Sequence, residues 1–336
     1  KMLGAPDICS KEWVYRQYDF RVQMNTVVKP GSDAAILRIK GRDKGVGLTM
    51  DSNGRYCYLN PRRGAQSIVA ESARNQVVSG AEPIAITDGL NFGNPEKPEV
   101  YFQLEQSILG ISEACRALDT PVIGGNASLY NQTPEFGAIY PTPIIGMTGL
   151  VKSLKHVTTM EFKQAGDFIV LIGETKAELG ASEYLDWIHG LVMGDVPELD
   201  LKLERKSQDY ILAVIRKGLV QSAHDLGDGG LAVALAESCI AGALGADISL
   251  DIDIRSDALL FGESQTRFML SATEKSVDSL IQMAAEKGIE AAVIGRVTKH
   301  KQIVINNLGS NLININLAEC AIAFNTGFDK LMKSDR

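Results

Sequence analysis

Four residues on two short segments are of the types that a nucleotide–metal complex requires: Asp88 on one, and Gly125, Asn126 and Ser128 on the other. Gly124 and Gly125 carry no side-chain bulk, so backbone N–H groups there can approach phosphate oxygens closely. Asp88 offers a carboxylate to Mg²⁺, to water on the metal, or to a ligand hydroxyl. Asn126 offers a hard carbonyl oxygen, weak as a ligand alone, so further carboxylates are expected nearby. Ser128 can donate to a phosphate or to a substrate carbonyl. Asp-Gly and Gly-Gly-Asn are also common turn formers, and that plainer reading stays open.

The elements around these residues read as a βαβ unit. Residues 84–87 form a short apolar run, with Asp88-Gly89 opening a loop. From Tyr101 the apolar positions fall at Leu104, Ile108, Ile111, Cys115 and Leu118, steps of three and four that mark one helix face. Residues 121–123 read as the next strand, ending in the Gly-rich loop 124–128. With the two strands parallel, both loops leave the same sheet edge, where open α/β sheets bind ligands. Asp88, Gly125, Asn126 and Ser128 would then converge on one cleft.

The chain of 336 residues is long enough for two domains with self-sufficient cores. It is 45% hydrophobic and 22% charged, with a net charge of −7 and no long basic run, which argues against a nucleic-acid partner. Cys9, Cys57, Cys115, Cys239 and Cys320 lack metal spacing and read as reduced thiols of a cytoplasmic protein. No apolar run approaches a membrane span, and no signal peptide is evident. The chain opens at Lys1 without an initiator methionine, in sequence that already looks ordered, and so reads as a piece of a longer polypeptide.

Residues 1–30 mix aromatics with charge and read as a lead-in segment. Strands are expected over 34–40, 46–51 and 144–151, with a Ser52-Asn53-Gly54 turn and a helix over 62–79 between Pro61 and Gly80. The polar stretch 152–166 marks a boundary. Beyond it, strands at 168–172, 219–223, 248–252, 268–272 and 292–297 alternate with helices at 206–216, 231–241 and 277–287, a second α/β domain. Residues 303–317 read as edge strands and 324–333 as a terminal helix.

The second domain has its own polar centre, His224-Asp225-Leu226-Gly227-Asp228-Gly229-Gly230, between a strand and an Ala-rich helix. A glycine-dense turn feeding a helix suits an anion, and its two aspartates suit a metal that bridges to phosphate. Asp228 reads equally as a helix cap or a metal ligand. His224 reads more readily as a hydrogen-bonded structural group than as an acid or base. A third polar cluster, Glu263-Ser264-Gln265, precedes the strand at 268. There is no nucleophile elbow and no hydrolytic triad.

These segments, together with residues 83–95, 124–131, 224–231 and 262–265 as continuous motifs, closely resemble the phosphoribosylformylglycinamidine synthase family, in the second half of its small-type synthetase subunit. The resemblance runs in order from about Trp13 to Ile322. It implies an α/β (α+β) fold, the two-domain unit of aminoimidazole ribonucleotide synthetase (PurM-like). An N-terminal barrel-forming domain at 31–157 follows the lead-in at 1–30, and a C-terminal sandwich domain spans 158–336. It also implies ATP-dependent conversion of formylglycinamide ribonucleotide to its amidine, with ATP and Mg²⁺ bound. Implied partners are the first half of the same subunit, a glutaminase subunit and a small bridging subunit, with homodimerisation as the isolated chain's alternative. Non-catalytic pairing, or a free-standing kinase such as thiamine-monophosphate kinase, are the competing classes.

By the same resemblance, Asp88 and Gly125 match ATP contacts, Asn126 a magnesium ligand and Ser128 a substrate contact. Asp225 matches a magnesium position at an auxiliary nucleotide site of large-type members, although Gly227 stands where serine is common. Glu263, Ser264 and Gln265 echo a substrate-binding loop of the first half. The family's catalytic histidines belong to that half, so no catalytic residue is expected in this chain.

Overall fold

A computed structural model describes residues 1–334. Helix α1 (Glu12–Tyr15) packs through Trp13 on Phe328 near the end of the chain, and the first domain contains β1 (Thr26–Val28), β2 (Ala35–Arg38), β3 (Gly45–Asp51), α2 (Gly54–Leu59), α3 (Pro61–Val78), β4 (Glu82–Asn91), α4 (Pro98–Leu118), β5 (Val122–Ser128), the small hairpin β6 (Gln132–Thr133) and β7 (Gly137–Ala138), and β8 (Thr142–Val151). Its sheet runs β1-β2-β3-β8-β4-β5, beginning at Thr26, inside the segment read as a lead-in. Every pairing is antiparallel except β4 with β5, the expected parallel pair joined by α4.

Local chemistry explains the helix that organises this domain. Asn60 caps α3 by accepting from Arg63 N at 3.2 Å, and Pro61 sits where its missing N–H costs nothing. Gly80, at φ 82°, ends it. Helix α4 is rotated from the expected face. Ile111, Cys115 and Leu118 are buried, but Tyr101 and Ile108 are exposed, and Val100, Ser107 and Ala114 complete the buried stripe. The cause is close packing: a Cβ on Gly110 would lie 2.2 Å from Arg62 O, so small residues must face α3. The Ser52–Gly54 turn is instead a helix start, with Asn53 accepting from Tyr56 N at 3.0 Å.

The second domain contains β9 (Phe168–Ile172), α5 (Glu183–His189), α6 (Leu201–Arg216), β10 (Ser222–Asp225), α7 (Gly230–Gly242), β11 (Gly245–Leu250), α8 (Ser256–Phe261), β12 (Phe268–Ala272), α9 (Glu274–Glu286), β13 (Ala291–Thr298), β14 (Gln302–Asn307), β15 (Ser310–Asn316) and α10 (Leu317–Ser334). The sheet order is β10-β12-β9-β13-β11-β14-β15, with only β11–β14 parallel. The unbroken apolar run of β9 follows from burial on both faces. Ile169 and Leu171 join a core with α7, α8 and α10, while Val170 and Ile172 join one with α6 and α9. Val77 and Val78 of α3 enter this second core, so one helix ties the domains together. No helix among the described residues is long and apolar enough to cross a membrane.

Candidate functional site

The Gly-rich segment read as a loop is strand. Residues 124–128 stay in β5, and Asp88-Gly89 stays in β4. The parallel register sets Asp88 opposite Gly125, Gly89 opposite Asn126 and Asn91 opposite Ser128. Each polar side chain thus faces a position made small for it. A Cβ on Gly125 would lie 1.9 Å from Asp88 Oδ1 and 2.7 Å from Asp88 O, and one on Gly89 would lie 3.3 Å from Asn126 Oδ1. Gly125 is required by cross-strand packing, where spacing alone suggested a turn.

Strand alternation then divides the four residues. Asp88 and Gly125 share the helix-covered face, where partial burial raises the Asp88 carboxyl above its ordinary value. Asn126 and Ser128 share the opposite, uncovered face, with Asn131 Nδ2 donating to Ser128 Oγ at 3.1 Å. They meet at the outer edge of the sheet rather than in one concave cleft, and a ligand reaching all four must wrap that edge.

The same ladder continues inward. Gly125 pairs with Asp88, Asp88 with Ile145, and Ile145 with Asp51. Asp88 and Asp51 therefore lie on one row and one face, two strand spacings or about 10 Å apart. Asp51 opens onto a cavity of about 900 Å³ between the domains, walled by the first residues of the chain, the 27–33 segment, α3, α7 and the turn after β10.

Acids gather there. Asp51 from β3, Glu71 and Asn75 from α3, Asp225 at the end of β10 and Asp228 beyond it all line the cavity. Burial pushes the Asp51 carboxyl up to about 6 and Asp225 to about 7, and raises Glu71 and Asp228 as well. Their buried counter-charge is Arg74, whose Nε lies 3.5 Å from Asp225 Oδ2. Asn75 Nδ2 donates to Asp51 Oδ1 at 2.9 Å, and Asp51 Oδ2 is buried without a partner. One carboxylate oxygen among these acids is left unsatisfied, a charge burden that a cation entering the cavity would relieve. Gly227 has a role here too: a Cβ would lie 2.7 Å from Glu71 Oε1, so the absent serine leaves space for that carboxylate.

Asp51, Glu71 and Asn75 escaped the sequence reading because Asp51 ends a strand and the other two ride a helix that already carries Arg62, Arg63, Gln66, Arg74 and Gln76, among which they do not stand out. The polar i, i+4 pair Glu71–Asn75 on that helix was the available signal. Asp228 is not a helix cap, since α7 begins with no side-chain cap; its Oδ1 accepts from Asn53 Nδ2 of the first domain at 3.3 Å.

The Glu263-Ser264-Gln265 cluster is turned inward. Glu263 accepts from Tyr56 Oη at 2.7 Å and from Gly229 N and Glu183 N at 2.9 Å. Ser264 Oγ accepts from Lys176 N, and Gln265 Oε1 from Arg74 Nη2 at 3.2 Å. These bonds brace the turn after β10 against α2 and α5, and leave the Glu263 carboxylate fully committed within the fold.

Two domains of this kind, meeting at an acidic seam with a glycine-paired strand edge, define the class. The sequence matches the family described as AIR synthase related protein, with its N-terminal domain over residues 31–151 and its C-terminal domain over residues 164–306. The chain belongs to that family. It is 51% identical over 335 residues to the phosphoribosylformylglycinamidine synthase subunit PurL of Alkaliphilus metalliredigens (strain QYMF), covering 99% of this chain and 45% of that protein. The chain thus spans about half the length of the curated relatives it matches. Its fold is that of T. maritima PurL complexed with FGAR, at TM-score 0.74 and 21% identity over 86% of this chain and 47% of that one. T. maritima PurL complexed with ATP matches at TM-score 0.69 and 20% identity, over 86% and 46%.

Proposed function

We propose that the chain is the second half of an ATP-dependent, amidine-forming ligase, phosphoribosylformylglycinamidine synthase of de novo purine synthesis. The observation that carries this reading is the in-register pairing of Asp88 with Gly125 and Gly89 with Asn126, at motifs shared with the family. In the reaction, ATP phosphorylates the amide oxygen of formylglycinamide ribonucleotide, and ammonia from a glutaminase partner displaces the phosphate. Such chemistry asks the protein for positioning and charge neutralisation rather than for a nucleophile.

In this reading the Asp88 carboxylate seated against Gly125 orients ATP, Asn126 offers an oxygen to its Mg²⁺, and Ser128 holds substrate. A divalent cation entering the interdomain cavity would neutralise the charge gathered by Asp51, Glu71 and Asp225 and would there attract a phosphate. The catalytic groups come from the first half of the subunit, and the glutaminase and the small bridging subunit complete the complex. The assembly works in the cytoplasm.

Calorimetric titration with Mg-ATP tests the half-site. Binding is expected once the separately expressed first half is added, and Asp88→Asn or Gly125→Ala should weaken it about tenfold or more. Titrations indistinguishable between the variants and the parent chain would remove these residues from the site.

The uncovered sheet face supports the pairing half of the proposal. On that face Met50 is 77% exposed with Leu48 open beside it, and Ile123, on the edge strand, is 71% exposed. Contiguous apolar surface of this kind marks an interaction site. The isolated chain should self-associate at micromolar concentration in light scattering, and Met50→Lys with Ile123→Lys should return it to a monomer. A parent chain that is monomeric under those conditions would argue against self-pairing.

A further inference from the structure

We infer that Asn131 is a positioning residue for substrate: its carboxamide presents the Ser128 hydroxyl as a hydrogen-bond donor to a carbonyl or phosphate oxygen of the ligand. The inference rests on the reading of Ser128 as a substrate contact and supplies the device that orients it.

Beyond Ser128, at the end of β5, the chain turns through Leu129 and Tyr130. Tyr130 takes φ 61°, a left-handed conformation that a residue of its size holds only where its surroundings enforce it. Backbone bonds enforce it here: Tyr130 N donates to Gly93 O at 2.9 Å, Asn131 N to Phe92 O at 3.0 Å and Phe92 N to Ser128 O at 3.0 Å. The turn lays the Asn131 side chain across the ends of β4 and β5. Its Nδ2 lies 2.8 Å from Ser128 O, 3.2 Å from Phe92 O and 3.1 Å from Ser128 Oγ. Two of these three are carbonyls, which only accept, so the carboxamide nitrogen and not its oxygen must face them. The backbone thus dictates which way Asn131 points.

That orientation decides what the serine offers. A hydroxyl has one proton to give and two lone pairs with which to receive. Asn131 Nδ2 engages a lone pair of Ser128 Oγ and leaves the proton to be given. The proton's partner within the protein is Asn131 Oδ1 at 3.4 Å, longer than an ordinary O–H···O bond of about 2.7–2.8 Å, so a ligand oxygen readily replaces it. Asn91, opposite Ser128 across the strands, does not compete, because its Nδ2 donates to Gly89 O and Thr142 O at 3.1 Å each. Among the described residues, Asn131 supplies the side-chain partners of the Ser128 hydroxyl.

The test is a double-mutant cycle in the intact subunit carrying both halves, assayed with formylglycinamide ribonucleotide, Mg-ATP and ammonium. Ser128→Ala and Asn131→Ala should each raise KM for formylglycinamide ribonucleotide about tenfold, with KM for ATP changed less than about twofold, because Asp88 and Gly125 share the other face of the sheet. In the Ser128→Ala background, Asn131→Ala should add less than about twofold, since its effect passes through the hydroxyl. Asn131→Gln keeps the donor but displaces it by one methylene, so its KM should fall between those of the parent and Asn131→Ala. Thermal melts accompany each variant, and the cycle is run with Asn131→Gln where Asn131→Ala is too unstable to assay. Multiplicative effects of the two substitutions, or an equal rise in KM for ATP, would make Asn131 a strut of the strand ends and overturn the inference while leaving Ser128 in the site. Unchanged KM in Ser128→Ala would remove Ser128 from the site, and the positioning role with it.

Discussion

Arg74→Met should destabilise the chain by about 3–5 kcal/mol, among the largest effects expected of any single side chain. The guanidinium is fully buried at the domain seam. Its Nη1 lies 3.3 Å from Glu204 Oε2, its Nε 3.5 Å from Asp225 Oδ2 and its Nη2 3.2 Å from Gln265 Oε1. Methionine conserves much of the volume, so the loss is one of charge compensation rather than packing. Glu204, also fully buried, keeps its bonds from Thr266 Oγ1 at 2.5 Å and Gln208 Nε2 at 2.8 Å but loses its cation. Adding Glu204→Gln should therefore recover a substantial part of the loss. Urea unfolding of the single and double variants measures both numbers. A single-variant change below about 1 kcal/mol would show that the seam tolerates the charge without its partner.

The second large effect is a pH-dependent response to divalent cations. Asp51 sits near 6 and Asp225 near 7, against ordinary values of 3.8. Between about pH 4 and pH 7 the folded, cation-free chain holds protons that the unfolded chain has released. Its stability from these groups is therefore present at low pH, falls as pH rises through that window, and levels off above it. A divalent cation needs the ionised carboxylates and removes their mutual repulsion, so its stabilisation should grow across the same window. The difference between Mg²⁺ and chelator should be on the order of 2 kcal/mol larger at pH 8 than at pH 5. Thermal melts in the four conditions measure it, and an equal Mg²⁺ shift at both pH values would refute the cation cluster. Glu263, raised to about 8 by burial, adds a further decline with pH that Mg²⁺ should not relieve, since its oxygens are held by Tyr56, Gly229 and Glu183.

Much of the fold was legible because its signals are local. Pro61 and Gly80 bracket α3 as their backbone preferences require. The apolar runs of β9 and β12 fall where the sequence placed them, since a strand buried on both faces has no polar positions to confuse the pattern. The start of α6 was missed by several residues, although Asp200 caps it by accepting from Lys202 N and Leu203 N. Its first turn lacks the apolar spacing on which the reading relied. The rotation of α4 was hidden for a related reason: periodicity finds an apolar face, but Gly110 decides which face can approach α3.

The chain by itself determined the βαβ unit, the family motifs and the residue types at Asp88, Gly125, Asn126, Ser128 and Asp225. These depend on spacing within one segment, or on a resemblance read segment by segment. Only the tertiary structure decided that Gly125 is bare to admit the Asp88 carboxylate, because that contact is set by strand register. It alone drew Asp33, Asp51 and Glu71 toward the His224–Asp225 pair at one cavity, from a loop, a strand and a helix far apart in the chain. The physical reason is the range of the forces involved. Backbone preference and apolar periodicity act over a few residues, whereas the electrostatics of buried carboxylates depends on which groups long-range packing leaves without water.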